Sequence, residues 1–349
     1  MKIKGNTVFF DSSDKSFIKK FGFSAAADMV MDFRSQNKLP FIYDLLQLSG
    51  FLSVDFKDTV RFLKKGCDND YRTLTIKKRN GNDRILNVPS PTLKRCQRII
   101  YNEILKNLPV SKYAKAYKKG VHLQDNASPH VGKKYILKID ITDFFGSITF
   151  REVYSAAFNT RYFPRHVGYV LTVLCCKDEA LPQGAPTSPA LSNLVMKGFD
   201  ENIGKWCEAR GISYTRYCDD MTFSSDEPLY HVYKKVTSLL EEADFSVNQS
   251  KTKFITNASR QSVTGLTVNQ KVSVNREYKR TLRQELHYLF LYGAENCLIK
   301  TDNKQYFTNG KPDKNRYLSS LEGRIVFVLS VEKDNPYFKT ALEKLRALY

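Results

Sequence analysis

The sequence predicts an α+β fold, with helices around short β segments that pair locally. Three observations predict it. Helical periodicity dominates both ends of the chain. Two β-hairpin patterns lie between them, one at Asn80-Gly81 and one at Cys218-Asp219-Asp220. A further segment, residues 135–141, alternates in the two-residue period of a strand.

In chain order, residues 1–65 are expected to be helical, with apolar stretches at Phe41-Ile42-Tyr43-Asp44-Leu45-Leu46 and Val60-Arg61-Phe62-Leu63. From Tyr71 the pattern changes. Arg72-Thr73-Leu74-Thr75-Ile76-Lys77 alternates, Asn80-Gly81 supplies a two-residue turn, and Arg84-Ile85-Leu86-Asn87-Val88 returns. The tip of this hairpin is basic: Lys77, Lys78, Arg79 and Arg84. Residues 91–107 predict a helix with Leu93, Cys96, Ile100 and Leu105 near one face. In the strand at 135–141, Leu137, Ile139 and Ile141 share one face, and Ile136, Lys138 and Asp140 share the other. Helical patterns follow at 151–176, broken at Pro164, and at 189–209. Strands at 213–217 and 221–225 flank the Cys218-Asp219-Asp220 turn. A helix at 230–243 and strands at 245–248 and 262–274 come next. From Arg276 the pattern is helical again, with Leu282, Leu286, Leu289 and Phe290 as an apolar stripe. Residues 300–316 predict a loop or small hairpin, and helices at 315–331 and 336–348 follow.

The bulk numbers narrow the class. A chain of 349 residues, 42% hydrophobic and 26% charged, can bury a large core. Lys and Arg total 55 against 36 Asp and Glu, a net charge of +19 spread along the chain, which calls for a polyanionic partner. A solvated basic surface or a membrane-surface binder is the competing reading of charge alone. No apolar leader follows Met1, and no run of about 18 apolar residues exists, so neither a secretory signal nor a spanning helix is expected. The seven cysteines form no CxxC pair and suggest neither a disulfide framework nor a zinc site. A cytoplasmic location is expected.

Two acidic sites stand out: Asp140 at the end of an apolar strand, and Asp219-Asp220 in a tight turn between β segments. Aspartate is a common turn residue, so a lone pair would carry little weight. Carboxylates beside an apolar sheet are costly unless something binds them. Mg²⁺ takes oxygen ligands, and nucleotidyl transfer uses two such ions, one at the attacking hydroxyl and one at the triphosphate.

Three motifs carry a resemblance. Lys138-Ile139-Asp140-Ile141-Thr142-Asp143-Phe144-Phe145 resembles the first catalytic motif of reverse transcriptases. Leu181-Pro182-Gln183-Gly184-Ala185-Pro186-Thr187-Ser188-Pro189 resembles their LPQG motif, and Tyr217-Cys218-Asp219-Asp220 resembles their second catalytic motif. The three occur in the family's order. The resemblance implies a right-hand polymerase architecture: N-terminal helices and fingers at 1–134, a palm of antiparallel sheet with helices on one face at 135–268, and a helical thumb at 269–349. It implies two Mg²⁺ ions held by Asp140, Asp219, Asp220 and the Ile141 carbonyl. Phe145 would be the aromatic gate that rejects a 2′-hydroxyl, the alternative being a core phenylalanine. Gln183 would contact the incoming dNTP, where a turn amide is the plainer alternative. Arg84 and one of Lys77 or Lys78 would grip the triphosphate. Lys251 matches a later motif and would protonate pyrophosphate as a general acid, unless it is a solvated loop lysine.

Two smaller elements point within the family. Asn126-Ala127-Ser128-Pro129-His130 resembles the NAxxH element of bacterial retron reverse transcriptases, and Val263-Thr264-Gly265 resembles their VTG element. Residues 323–331 resemble their thumb. The resemblance implies an enzyme that binds its own structured noncoding RNA and primes from an internal 2′-hydroxyl. It would copy part of that RNA into multicopy single-stranded DNA, joined to the RNA as a branched product. It implies template removal by a host RNase H, because no RNase H domain is expected here, and antiphage defence with an effector protein encoded nearby. RNA contacts are expected from Asn126, His130, Val263, Thr264 and Gly265, and from the basic helix face Arg276, Lys279, Arg280 and Arg283. A group II intron-like or diversity-generating reverse transcriptase is the alternative within the family. A catalytically inactive RNA-binding scaffold is the alternative outside enzymes.

Overall fold

A computed structural model describes residues 2–4, 7–9, 35–77, 81, 83–301, 304–308 and 310–349. Strands β1 (Lys2–Lys4) and β2 (Thr7–Phe9) pair antiparallel, with Ile3 opposite Val8, where helix was expected. The alternation Lys2-Ile3-Lys4 and the β-branched pair Thr7-Val8 favour extended chain. Helices α1 (Leu45–Leu52) and α2 (Phe56–Lys65) follow. Asp44 caps α1, its carboxylate accepting the Gln47 N–H at 2.8 Å.

The predicted basic hairpin forms. Strands β3 (Tyr71–Lys77) and β4 (Asp83–Pro89) pair antiparallel, from Tyr71 opposite Pro89 to Lys77 opposite Asp83. Helix α3 (Pro91–Glu103) begins at the cap residue Ser90, with proline in the first turn, where its missing N–H costs nothing. It buries Leu93, Cys96 and Ile100 as the periodicity predicts.

Strands β5 (Tyr135–Asp140), β6 (Ser213–Tyr217), β7 (Asp220–Ser225) and β8 (Lys253–Thr256) make one four-stranded sheet in the order β6-β7-β5-β8. On β5, Leu137 and Ile139 are fully buried while Lys138 and Asp140 remain partly exposed, so the two predicted faces are distinct. The helix expected at 151–176 does break at Pro164, after which α4 (Arg165–Val173) runs. The helix expected at 189–209 is two, α5 (Ser188–Val195) and α6 (Lys197–Glu208), parted where ψ of Met196 opens to −4°. Helix α7 (Tyr230–Glu242) lies where it was expected.

The strand expected at 245–248 does not form. Val247 makes only an isolated bridge to Ile141. The polar run Asn248-Gln249-Ser250 closes a turn, with Lys251 N–H donating to the Asn248 carbonyl at 3.2 Å, and the strand forms later as β8. The segment 262–274 is three short strands, β9 (Ser262–Val263), β10 (Leu266–Thr267) and β11 (Ser273–Val274), because Thr264 and Gly265 turn the chain at φ +46° and +83°.

Helices α8 (Arg276–Tyr292), α9 (Ala294–Thr301), α10 (Lys314–Val331) and α11 (Pro336–Arg346) complete the chain, with a small hairpin Phe307–Thr308/Lys311–Pro312 before α10. Among the described residues no helix is long and apolar enough to cross a membrane.

The chain divides into two compact units. One comprises residues 1–121, 138–221 and 230–252; the other comprises 122–137, 222–229 and 253–349. The first buries Leu48, Phe62, Leu93, Phe158, Phe163 and Leu171 completely. In the second, Leu282, Leu286 and Leu289 of α8 meet Leu318, Leu321 and Ile325 of α10 and Phe338 of α11. Phe290 departs from the predicted stripe and is 37% exposed.

Candidate active site

Asp140 ends β5, and Asp219-Asp220 close the turn into β7. Cys218 makes that turn possible by taking φ +61°, a left-handed conformation rare for residues with a side chain. The backbone joins the two acidic sites directly: Ile141 N–H donates to the Asp219 carbonyl at 3.1 Å. On the other side of Asp140, its carbonyl accepts the Asn248 N–H at 2.8 Å, and Thr142 N–H donates to the Ser246 carbonyl at 2.8 Å. Those bonds bring the 248–251 turn against the aspartate. Lys251 Nζ then donates to both Asp140 carboxylate oxygens at 3.0 Å.

Lys138, one strand period before Asp140, lies 3.3 Å from Asp220 Oδ2. Burial pushes the Asp220 carboxyl above its ordinary value; Lys138 opposes that, while Asp219 and Asp140 push the same way. The three aspartates therefore share one electrostatic environment. Among the described residues, no three His, Cys, Asp or Glu side chains converge into a ready-made metal cage. The donor chemistry nonetheless fits Mg²⁺. Every donor is a hard oxygen, and two of the carboxylates already hold a cation, the ammonium groups of Lys251 and Lys138.

The residues expected on the nucleotide side form a second group. Arg84 Nε donates to Gln183 Oε1 at 3.3 Å, and the Asn87 N–H donates to the Gln183 carbonyl at 2.7 Å. The LPQG segment is thus bonded to β4 of the basic hairpin. Gly184 permits this approach at φ +121°; a Cβ there would stand 2.7 Å from the Asn87 carbonyl oxygen. Lys77 is exposed at the end of β3, and Lys78 lies outside the described residues. Phe145 is only 9% exposed, with its ring 5.5 Å from that of Phe144, so most of it belongs to the core.

The expected RNA contacts divide. Asn126, His130 and Val263 are buried, at 1%, 0% and 0% exposed, so in this conformation none can touch an external RNA directly. The reason lies in packing. His130 Nδ1 shares a hydrogen bond with Ser224 Oγ at 2.7 Å, and Val263 joins the apolar core of its unit. Asn126 Nδ2 faces Thr264 Oγ1 at 3.5 Å, so the NAxxH and VTG elements adjoin each other. Thr264 is half-buried and Gly265 exposed. On α8, Arg276, Arg280 and Arg283 are exposed. Lys279 is instead tied to Glu332 at 2.6 Å.

Burial pushes the His130 imidazole down to about 3 from its ordinary value of 6.5. Below pH 6.5 the unfolded chain binds a proton there and the folded chain does not, so stability falls as pH drops towards 3. The expected cost at pH 5 is about 2 kcal/mol. Thermal unfolding of wild type and His130→Gln checks it. The wild type's advantage at pH 7.5 should shrink by that amount at pH 5, and a constant gap would contradict the assignment.

Sequence reasoning passed over Lys138, although its place on the Asp140 face of β5 was visible. It also passed over Asp200 and Arg216, a buried pair bonded to the Cys218-Asp219-Asp220 turn that nothing in their local sequence announces.

Comparison with known proteins adds the following. Residues 76–307 match the profile of the family described as reverse transcriptase (RNA-dependent DNA polymerase). The chain is similar to the Retron Ec86 reverse transcriptase of Escherichia coli, 31% identical over 93% of this chain and 96% of that protein. It is 36% identical to the Retron Mx65 reverse transcriptase of Myxococcus xanthus over 62% of this chain and 55% of that one. It is 32% identical to the Retron Ec83 reverse transcriptase of Escherichia coli, over 66% and 81% respectively.

Proposed function

The chain belongs to the reverse transcriptases, and within them to the bacterial retron enzymes, and from that premise we propose that it copies part of its own structured noncoding RNA into multicopy single-stranded DNA. It is an RNA-directed DNA polymerase with the right-hand fold of its family, whose chemistry uses divalent metal ions. The observation that carries the site reading is the meeting of Asp140 with the Asp219-Asp220 turn through the Ile141–Asp219 backbone bond.

Asp140, Asp219, Asp220 and the Ile141 carbonyl would hold two Mg²⁺ ions, which would supply Lewis acidity for the attacking hydroxyl and the leaving pyrophosphate. Lys138 and Lys251 balance the carboxylate charge before substrate arrives. Lys251, 61% exposed at its side chain, then swings from Asp140 to give its proton to pyrophosphate. The Arg84 guanidinium, aligned by Gln183, grips the triphosphate, with Lys77 or Lys78 beside it. The exposed face of Phe145 meets the sugar of the dNTP. Arg276, Arg280 and Arg283 contact RNA phosphates. The buried NAxxH residues act through the shape they give the VTG turn, with Thr264 and Gly265 as its accessible part.

Synthesis starts from an internal 2′-hydroxyl of the RNA, a host RNase H removes the copied template, and the product serves antiphage defence with an effector protein. Nucleic acid copurified with the protein from its own cells tests the reading. A DNA strand joined to RNA through a 2′–5′ bond is the expected product. Linear DNA carrying an ordinary 3′–5′ primer junction would overturn it in favour of a different reverse transcriptase branch.

A further inference from the structure

The geometry points to Arg216 and Asp200 as positioning residues that hold the turn carrying Asp219 and Asp220. The inference rests on the reading that these aspartates bind the catalytic metals. Arg216 stands on β6, two residues before the turn, and Asp200 stands on α6; both side chains are 0% exposed. The guanidinium forks. Nε donates to Asp200 Oδ1 at 2.8 Å, Nη2 donates to Oδ2 at 2.6 Å, and Nη1 donates to the Cys218 carbonyl at 3.0 Å. The Tyr214 hydroxyl adds a bond to Asp200 Oδ1 at 2.8 Å. Burial pushes that phenol far above its ordinary value, so it keeps its proton and stays a donor. The backbone of Arg216 is fixed as well: its N–H donates to the Tyr113 carbonyl at 2.9 Å, and its carbonyl accepts the Lys115 N–H at 2.8 Å.

Each bond has a consequence at the turn. Cys218 takes an unfavourable backbone conformation, and the charge-assisted bond to its carbonyl holds it there. That carbonyl belongs to the peptide unit leading into Asp219. A rigid path therefore runs from helix α6 through Asp200 and Arg216 to the catalytic peptide. An ion pair taken wholly out of water gains little over apolar groups of the same volume, so stability alone is a weak reason for this one. Keeping two neighbouring carboxylates in place against their repulsion is a stronger reason. Lysine cannot substitute, because its single ammonium lacks the planar fork that serves Asp200 and Cys218 in two directions.

The test is primer extension on folded RNA across a range of Mg²⁺ concentrations, with kcat referred to titrated active sites. Two variants are compared with the parent: Arg216→Lys, and the triple variant Asp200→Leu, Tyr214→Phe, Arg216→Met, which fills the same space with apolar groups. Both should raise the Mg²⁺ half-saturation by about tenfold or more and lower kcat by about ten- to a hundredfold. The dNTP KM should change by less than about twofold. Partial unfolding acts differently, reducing product at every Mg²⁺ concentration with the parental half-saturation. Parental kcat and half-saturation in Arg216→Lys would overturn the inference, and that variant decides alone if the triple variant does not fold. Asp219→Ala with Asp220→Ala runs alongside. Full activity there would remove the metal reading on which the inference rests, a result distinct from parental behaviour of the Arg216 variants alone.

Discussion

Replacing Asp219 and Asp220 together by alanine is expected to stop DNA synthesis on a folded RNA template while leaving the fold intact. The turn is built by backbone and by neighbours. Cys218 supplies the left-handed residue, Arg216 bonds its carbonyl, and the Asp219 carbonyl accepts from Ile141; none of these needs an aspartate side chain. The two carboxylates repel each other, and Asp220 is partly desolvated, so their removal should not destabilise the sheet. The carboxylate oxygens proposed to bind the metals, by contrast, vanish. A loss of at least about a thousandfold in kcat/KM is expected, about 4 kcal/mol of transition-state stabilisation. Primer extension with Mg²⁺, beside circular dichroism of both proteins, measures it. Equal DNA yield from the two would leave the catalytic assignment without support.

Gly184→Ala is expected to cost activity through geometry alone. The position has φ +121°, where a side chain is strained, and the new methyl would meet the Asn87 carbonyl oxygen at 2.7 Å. That oxygen is backbone and cannot rotate away. Either β4 or the LPQG segment must shift, and these are the elements that carry Arg84 and Gln183. A displacement on the order of 1 Å at the nucleotide should lower kcat/KM for dNTP about a hundredfold. Gly198→Ala is the control, since Gly198 is exposed on helix α6, a methyl there meets nothing within 4 Å, and the change should be close to neutral. Steady-state kinetics of the two variants decide the matter; parental kinetics for Gly184→Ala would mean that the hairpin and LPQG segment do not act as one nucleotide-side group.

What was legible in the sequence follows from which forces act locally. The β3–β4 hairpin and β5 announce themselves by alternation and by Asn80-Gly81, because a half-buried strand needs that period. The three aspartates were legible for a chemical reason, being acidic groups where a sheet would otherwise be apolar. The expected strand at 245–248 misled because Phe245-Ser246-Val247 does alternate, yet after the bonds of Ser246 to Thr142 and of Asn248 to Asp140 the polar turn at 248–251 ends the pairing, and β8 supplies the strand of the sheet. Asn126 and His130 were expected at the RNA from the resemblance of the NAxxH element alone; only the packed fold reveals a histidine closed in against Ser224. The Asp200–Arg216 pair joins a helix to a strand 16 residues away, and no short-range pattern encodes that pairing.

The most direct test of the central claim is anomalous scattering from Mn²⁺ in crystals of the enzyme with an RNA–DNA primer-template and a non-reactive dNTP. The account predicts two peaks about 3.5–4 Å apart, each about 2 Å from carboxylate oxygens of Asp140 and the Asp219-Asp220 turn, with Lys251 displaced from Asp140. Peaks bound elsewhere, or an Asp140 carboxylate still held by Lys251 with no metal beside it, would contradict the account.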